Sequence, residues 1–270
     1  MEEERIRKTC SLEQLLYPRG PVNTASYELT DEEKQQAIRQ AQIQKEKRLK
    51  HLEEMALRRL QDEVLLRPWK PSEMITFVRW KAEQRGLNFA IDPENHAVIK
   101  ALAMYFTRNE KFATAGQDFS LNKGILLCGN FGTGKTTVME LFQANQYQSY
   151  SLVRCIDIAD AFKANGEQVL HAFSKPAAIP SHVKTFYHTV TGTCFDDLGT
   201  EGVKGHFGDK VNVMADIILN RYDKKLPYHF THITTNLTSD EIEQCYGARV
   251  RSRMREMFNM LELTGEDRRK

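Results

Sequence analysis

Gly124-Ile125-Leu126-Leu127-Cys128-Gly129-Asn130-Phe131-Gly132-Thr133-Gly134-Lys135-Thr136-Thr137 decides how this chain folds. Five apolar residues read as a strand. A glycine-rich turn follows that satisfies G-x-x-x-x-G-K-[ST] at every fixed position, and Thr137 to Ala144 continue as a helix. The glycines let the backbone wrap closely around phosphates with its amides pointing inward, and the Lys135 ammonium reaches the β- and γ-oxygens. The Thr136 hydroxyl suits Mg2+, and the positive end of the next helix lies under the anion. The short pattern also turns up in proteins that bind no nucleotide, but here strand, loop and helix come in the required order. Gly129, Asn130, Phe131, Gly132, Thr133, Gly134, Lys135, Thr136 and Thr137 are therefore expected to hold ATP, with Mg2+ on Thr136.

Downstream, short apolar runs alternate with helical stretches: Ser151 to Ile156, a run within His188 to Asp196, Tyr228 to Thr235, and Met257 to Leu263. Unbroken apolar strands separated by helices predict an α/β fold with a parallel sheet covered by helices on both faces. Upstream the texture is helical. Residues 1–27 read as a loosely ordered arm. Asp31 to Leu66 is free of glycine and proline, opens on a capping box from Thr30 and Glu33, and ends before Pro68 and Pro71. Its apolar residues Leu49, Leu52, Ala56, Leu60 and Val64 take helical spacing only in the second half, so the first half reads as a solvated helix or a partner surface. A helix from Ser72 to Arg85 follows. Another is expected to start at Asp92-Pro93 and to carry the stripe Val98, Leu102, Tyr105 toward the sheet. The expected organisation is a helical N-terminal region over 1–112 and an ATPase domain over 113–270.

The 270 residues carry a formal net charge of +2, with 41% hydrophobic and 27% charged residues, as in ordinary globular proteins. No global field advertises nucleic acid, although a local basic stripe fits within a balanced total. Lys204, Lys210 and Arg221 are candidates for single-stranded DNA contacts; lysines kept for solubility are the alternative reading. Five cysteines without a CxxC pair suit a reducing compartment. Met1-Glu2-Glu3-Glu4 does not open a signal peptide, and no stretch nears the roughly 20 apolar residues of a membrane span. A cytoplasmic protein is expected.

Thr193-Cys194-Phe195-Asp196-Asp197-Leu198-Gly199-Thr200-Glu201 sets two carboxylates at the end of a strand. The first, Asp196, suits Mg2+ beside Thr136, and the second, Asp197, suits polarising a water for attack on the γ-phosphate. A merely acidic surface loop is the alternative. Glu201 reads as a further acidic contact or a helix cap. His232-Ile233-Thr234-Thr235-Asn236 ends another strand, and parallel strands gather their C-terminal ends in one crevice. Asn236 then either orients water beside the γ-phosphate or caps the helix starting near Ser239. Arg249 and Arg253 share one helical face and Arg251 and Arg255 another. One face can be solvated while the other offers a guanidinium to the γ-phosphate of a neighbouring subunit.

These motifs in this order resemble the AAA+ ATPases of the DnaC-type helicase-loader family, and are similar to the IstB-like ATPases that assist transposases. The resemblance covers roughly residues 95–270. It implies a P-loop NTPase fold, with Asn236 in the sensor-one position and Arg253, within Ser252-Arg253-Met254, as an arginine finger acting in trans. Arg269, or its neighbour Arg268, takes the sensor-two position. It further implies an ATP-dependent homo-oligomer that places a replicative helicase on single-stranded DNA, with the N-terminal segment to about residue 70 gripping the helicase, or a transposase in the IstB-like branch. The sequence stops directly after the sensor-two arginine and leaves little of a separate helical lid, and the long N-terminal region departs from the family pattern. Two rival readings are a small-molecule kinase and a module that keeps ATP as a structural ligand. Segment 164–188 would supply the kinase lid, but it holds Lys175 and Lys184 and no arginine.

Overall fold

The computed structural model describes residues 28–178, 186, 188–202, 204–206 and 209–269, with backbone alone over 204–206 and 209–211. The arm 1–27 and part of segment 164–188 lie outside the described residues. By packing the chain divides into two units, one ending at Asp62 and one starting at Glu63, and the helical region through residue 112 is shared between them.

Helix α1 (Asp31–Leu66) makes up the described first unit and runs four residues into the second. Its start matches the capping reading: the Thr30 amide donates to Glu33 Oε2 at 2.7 Å and the Glu33 amide to Thr30 Oγ1 at 3.3 Å. None of its residues is buried.

In the second unit α2 (Pro71–Gln84) and α3 (His96–Phe106) precede the sheet. The expected start of α3 at Pro93 is corrected to His96. Asp92 Oδ1 accepts from the amides of Glu94 and Asn95, and Asn95 Oδ1 accepts from the Asp92 amide, which closes a turn of its own before the helix begins. Then come β1 (Gly124–Cys128), α4 (Lys135–Phe142), β2 (Tyr150–Arg154), α5 (Cys155–Asn165), α6 (Glu167–Phe173) and β3 (Gly192–Leu198). A small antiparallel ribbon of β4 (Lys204–His206) and β5 (Asp209–Val211) leads into α7 (Val213–Asp223). The chain closes with β6 (Thr231–Thr235), α8 (Ser239–Tyr246), α9 (Ala248–Met257) and β7 (Phe258–Glu262).

Five strands form one parallel sheet in the order β2-β3-β6-β1-β7. Strand β1, which feeds the glycine loop, thus lies beside β6, and β6 lies beside the acidic strand β3. Both faces are covered, as expected. On one face Met74, Val78, Leu102, Phe106, Val138 and Phe142 pack on Ile125, Leu127 and Leu261. On the other Ile158, Phe162, Ile217, Ile218, Val250 and Met254 pack on Leu126, Phe195 and Ile233. The predicted stripe Val98, Leu102 and Tyr105 is buried, and the Tyr105 hydroxyl donates to Lys123 O at 2.6 Å. Burying each such large side chain stabilises the fold by roughly 1.5–3 kcal/mol. Because the strands are parallel, the loops after Cys128, Leu198 and Thr235 emerge on one edge of the sheet.

Candidate phosphate- and metal-binding site

Gly134 is left-handed (φ 92°) and forms the N-cap of α4, so the loop turns straight into the helix and delivers Lys135 and Thr136 on its first turn. A side chain at Gly132 (φ 77°) would place its Cβ 2.0 Å from the Asp267 carboxylate. This glycine therefore serves two ends, the positive φ of the turn and the close approach of the C-terminal segment. That segment is tied to the loop by backbone bonds from Leu263 N to Cys128 O (2.8 Å) and from Arg268 N to Gly132 O (3.0 Å).

Lys135 is only 5% exposed. Its ammonium donates to Gly129 O (2.9 Å), to Asn130 O (2.8 Å) and to Asn236 Oδ1. Burial lowers its pKa from the ordinary lysine value, the carboxylates of Asp197 and Asp196 oppose that shift, and the charge of Arg269 adds to it. Asn236 thus lies at the glycine loop and does not cap α8. That cap is Thr238, whose hydroxyl accepts from the Glu241 amide while Glu241 Oε2 accepts from the Thr238 amide.

Asp196 is buried at the C-terminal end of β3. The Thr136 hydroxyl donates across the crevice to its carboxylate, 3.0 Å from Oδ1 and 3.1 Å from Oδ2. The Thr234 hydroxyl donates to Asp196 Oδ1 at 2.6 Å and accepts from the Asp197 amide at 2.9 Å. Burial raises the Asp196 pKa, the Thr234 hydrogen bond pulls it back, and the neighbouring Asp197 charge raises it again. Asp197 takes a left-handed backbone (φ 53°) and reaches a cavity of about 180 Å³ together with Phe131, Lys135, Thr136, Asn236 and Arg269. A second cavity of about 260 Å³ adjoins it through Gly134, Thr137 and Arg268, and is lined by Leu87, Phe89 and Val138.

This donor set fits a magnesium–nucleotide complex. A hydroxyl and a carboxylate side by side supply the hard oxygens that Mg2+ prefers. An ammonium and the amides opening α4 suit phosphates. The neighbouring cavity, with apolar walls beside the loop, suits a flat base.

The remaining sequence candidates divide. Arg268 and Arg269 both line the first cavity, and Arg268 also forms a two-pronged pair with Asp92, at 2.5 Å and 3.0 Å, and reaches Glu94 at 3.3 Å. Arg253 lies away from this cavity. It donates to the Tyr222 hydroxyl at 3.0 Å and stacks on that ring at 4.3 Å. Arg249 pairs with Asp223 at 3.7 Å, and Arg251 with Asp240 and Glu243. Glu201 is a buried brace: one carboxylate oxygen accepts from the Gly199 amide at 3.0 Å and the other from the Tyr246 hydroxyl.

Arg221, expected as a DNA contact, is corrected to a core residue. It is 1% exposed and donates to Phe173 O, Phe230 O, Thr231 Oγ1 and Thr193 Oγ1. The side chains of Lys204 and Lys210 lie outside the described residues. Sequence reasoning missed Thr234, and its only local signal was its place two residues before Asn236 in a strand.

No family model matches this sequence, and no curated protein matches it. Among solved structures, the chain is similar to a crystal structure of the DnaC helicase loader, at 17% identity and a TM-score of 0.44 over 65% of this chain and 93% of that one. It is also similar to a crystal structure of a DNA replication initiation factor, at 13% identity and a TM-score of 0.43 over 65% of this chain and 48% of that one. Both likenesses are of the fold alone.

Proposed function

We propose that this chain is an AAA+ ATPase of DNA replication that binds ATP with Mg2+ at residues 129–137 and loads a replicative helicase onto single-stranded DNA. The observation that carries the ATPase reading is the Thr136 hydroxyl beside the Asp196 carboxylate, with Lys135 and Asn236 meeting at the same cavity. Magnesium bound with the nucleotide would draw charge from the β- and γ-oxygens. Asp196 and Thr136 hold the metal side of the site. Lys135 lays its ammonium along the phosphates, and Asp197 accepts a hydrogen bond from the attacking water and takes its proton. Asn236 orients that water without adding charge. Arg269 adds positive charge from the same chain, and Arg253 from a neighbouring copy, where a planar guanidinium matches the charge spread over the transferred group.

The helicase-loading role rests on the order of motifs that resembles DnaC-type loaders, and the N-terminal helical region is its partner-binding part. A fluorescent ATP analogue and a phosphate-release assay with Mg2+ test the engine. Binding and release of inorganic phosphate are expected, and Lys135→Ala abolishes both. Phosphate found on a small acceptor would instead establish a kinase. Capture experiments with the full chain and ATP test the partner: a ring helicase is expected, and a transposase would move the chain to the IstB-like branch.

A further inference from the structure

Strand β3 does not run straight to its end. Its pairing with β6 holds from Thr193 opposite Thr231 to Phe195 opposite Ile233, then slips so that Leu198 lies opposite Thr235. The two acids Asp196 and Asp197 occupy the slipped stretch, and Asp197 is one of four described non-glycine residues with positive φ. A left-handed aspartate costs on the order of 1 kcal/mol unless its surroundings fix it. Its amide no longer has a regular ladder partner, and the group that satisfies it is the Thr234 hydroxyl. The same oxygen turns its hydrogen onto Asp196 Oδ1 at 2.6 Å. Thr234 is fully buried, so neither bond competes with water.

We infer that Thr234 is the positioning residue of the acidic pair, its single hydroxyl fixing both the carboxylate of Asp196 that faces the metal and the backbone that swings Asp197 toward the phosphates. A hydroxyl is the only small group that does both at once, being donor and acceptor through one atom. Thr136 meets Asp196 from the helix side, so the carboxylate is held between two hydroxyls, one from the first turn of α4 and one from the strand beside it. Valine in place of Thr234 keeps the shape, removes both bonds, strips the Asp197 amide of its partner and leaves the Asp196 carboxylate with the Thr136 hydroxyl alone. Bulging is how strands re-aim a side chain at a site, and here the neighbouring strand fixes the bulge through one residue.

The inference rests on the reading of this crevice as a magnesium–nucleotide site, and its test separates the two. Affinity for a fluorescent ATP analogue is measured with Mg2+ and with EDTA, beside steady-state phosphate release, in the wild type, Thr234→Val and Thr234→Ser. Thr234→Val is expected to bind in EDTA within about twofold of wild type. It should lose most of the affinity gained with Mg2+, with KM rising accordingly, and its kcat should fall at least about tenfold. Thr234→Ser restores both readings. If Thr234→Val does not fold, Thr234→Ala takes the same measurements, and a magnesium gain equal to wild type in either variant, or failure of serine to restore it, overturns the inference. A wild type that binds no nucleotide overturns the nucleotide-site reading itself.

Discussion

Arg268 holds Asp92 by both prongs of its guanidinium, while the next residue, Arg269, faces the cavity beside Lys135. Both arginines line that cavity, but only Arg268 is tied down by a carboxylate pair there. One fastens the C-terminal segment to the turn before α3 and keeps the Asp92 carboxyl below its ordinary range. The other places its charge where the Lys135 ammonium feels it. The Arg268 pair is partly exposed, so Arg268→Ala costs no more than about 1 kcal/mol of stability. Arg269→Ala should leave the melting temperature unchanged and slow phosphate release about tenfold. Melting curves and phosphate-release rates on both variants check this, and the opposite pattern would reverse the assignment.

Asn236 accepts from the Lys135 ammonium and stands free of the α8 cap, which Thr238 and Glu241 form between themselves. Asn236→Ala therefore leaves the helix start intact and removes a polar group from the crevice alone. Nucleotide affinity is expected to hold within a few-fold while kcat drops about 10- to 100-fold, the scale of losing one well-placed hydrogen-bonding group. A fall in stability of more than about 1 kcal/mol would return Asn236 to the capping role.

The extent to which this site was legible depends on the range of each signal. Strand β1, the glycine loop and the start of α4 are local, and their chemistry is written in consecutive residues. The pairing of Thr136 with Asp196 was legible as well, because a parallel sheet brings strand ends together whatever lies between them. Thr234 was not legible. In Thr234-Thr235 the two hydroxyls point to opposite faces of β6, and only the register with β3 tells which one meets the acids. Arg221 misled for a related reason. A cation in a polar stretch reads as surface, and only the closing of α6, β3 and β6 around it supplies the four acceptors that let it be buried. Asp92-Pro93 imitates a helix start, yet the Asp92 and Asn95 side chains bond each other's backbone and make a separate turn first. The structure gives the α8 cap to the Thr238-Glu241 box, which the sequence reading passed over in favour of Asn236.

Arg221 carries a second expectation. Its guanidinium is enclosed with neutral partners and stacks on Phe195 at 4.9 Å, and burial pushes its pKa down to about 10. Removing it leaves several buried acceptors and a void. Arg221→Ala is expected to destabilise the fold by about 3–5 kcal/mol, and Arg221→Lys recovers only part, because an ammonium does not reproduce the planar fork. Urea denaturation measures both, and a loss below about 1 kcal/mol for alanine would contradict the structural role.

His232 makes the fold sensitive to acid. It is fully buried on β6 against Tyr105, Phe106 and Tyr150, and its Nδ1 accepts from the Ile125 amide. Burial, aided by His229 and Arg221, pushes its pKa from 6.5 down to about 3. The unfolded chain therefore takes up a proton near pH 6.5 that the folded chain refuses. The stability from the neutral ring is fully present above pH 6.5 and is lost as pH falls from there toward 3, by up to about 5 kcal/mol. Urea midpoints between pH 7.5 and 4.5 should decline below pH 6.5, and an NMR titration should find the His232 ring neutral at pH 5. A ring that titrates near 6.5 in the folded protein would refute the assignment.

Helix α1 sets the last expectation. Leu49, Leu52 and Leu60 are 50%, 52% and 61% exposed on a helix with no buried residue, so nothing in the described chain draws stability from them. Most helical stability in proteins comes from packing an apolar face, and here capping and pairs such as Lys50 with Glu46 leave that face open to a partner. Leu49→Asp and Leu52→Asp are therefore expected to shift the stability of the sheet-bearing unit by less than about 0.5 kcal/mol and to leave phosphate release by the isolated chain unchanged. The same variants should capture the proposed partner helicase poorly, since a charge on the apolar face penalises its burial against any partner. Loss of fold stability in these variants would instead mean that the face is covered by the chain itself in solution, and the helix would then no longer stand as the partner-binding element.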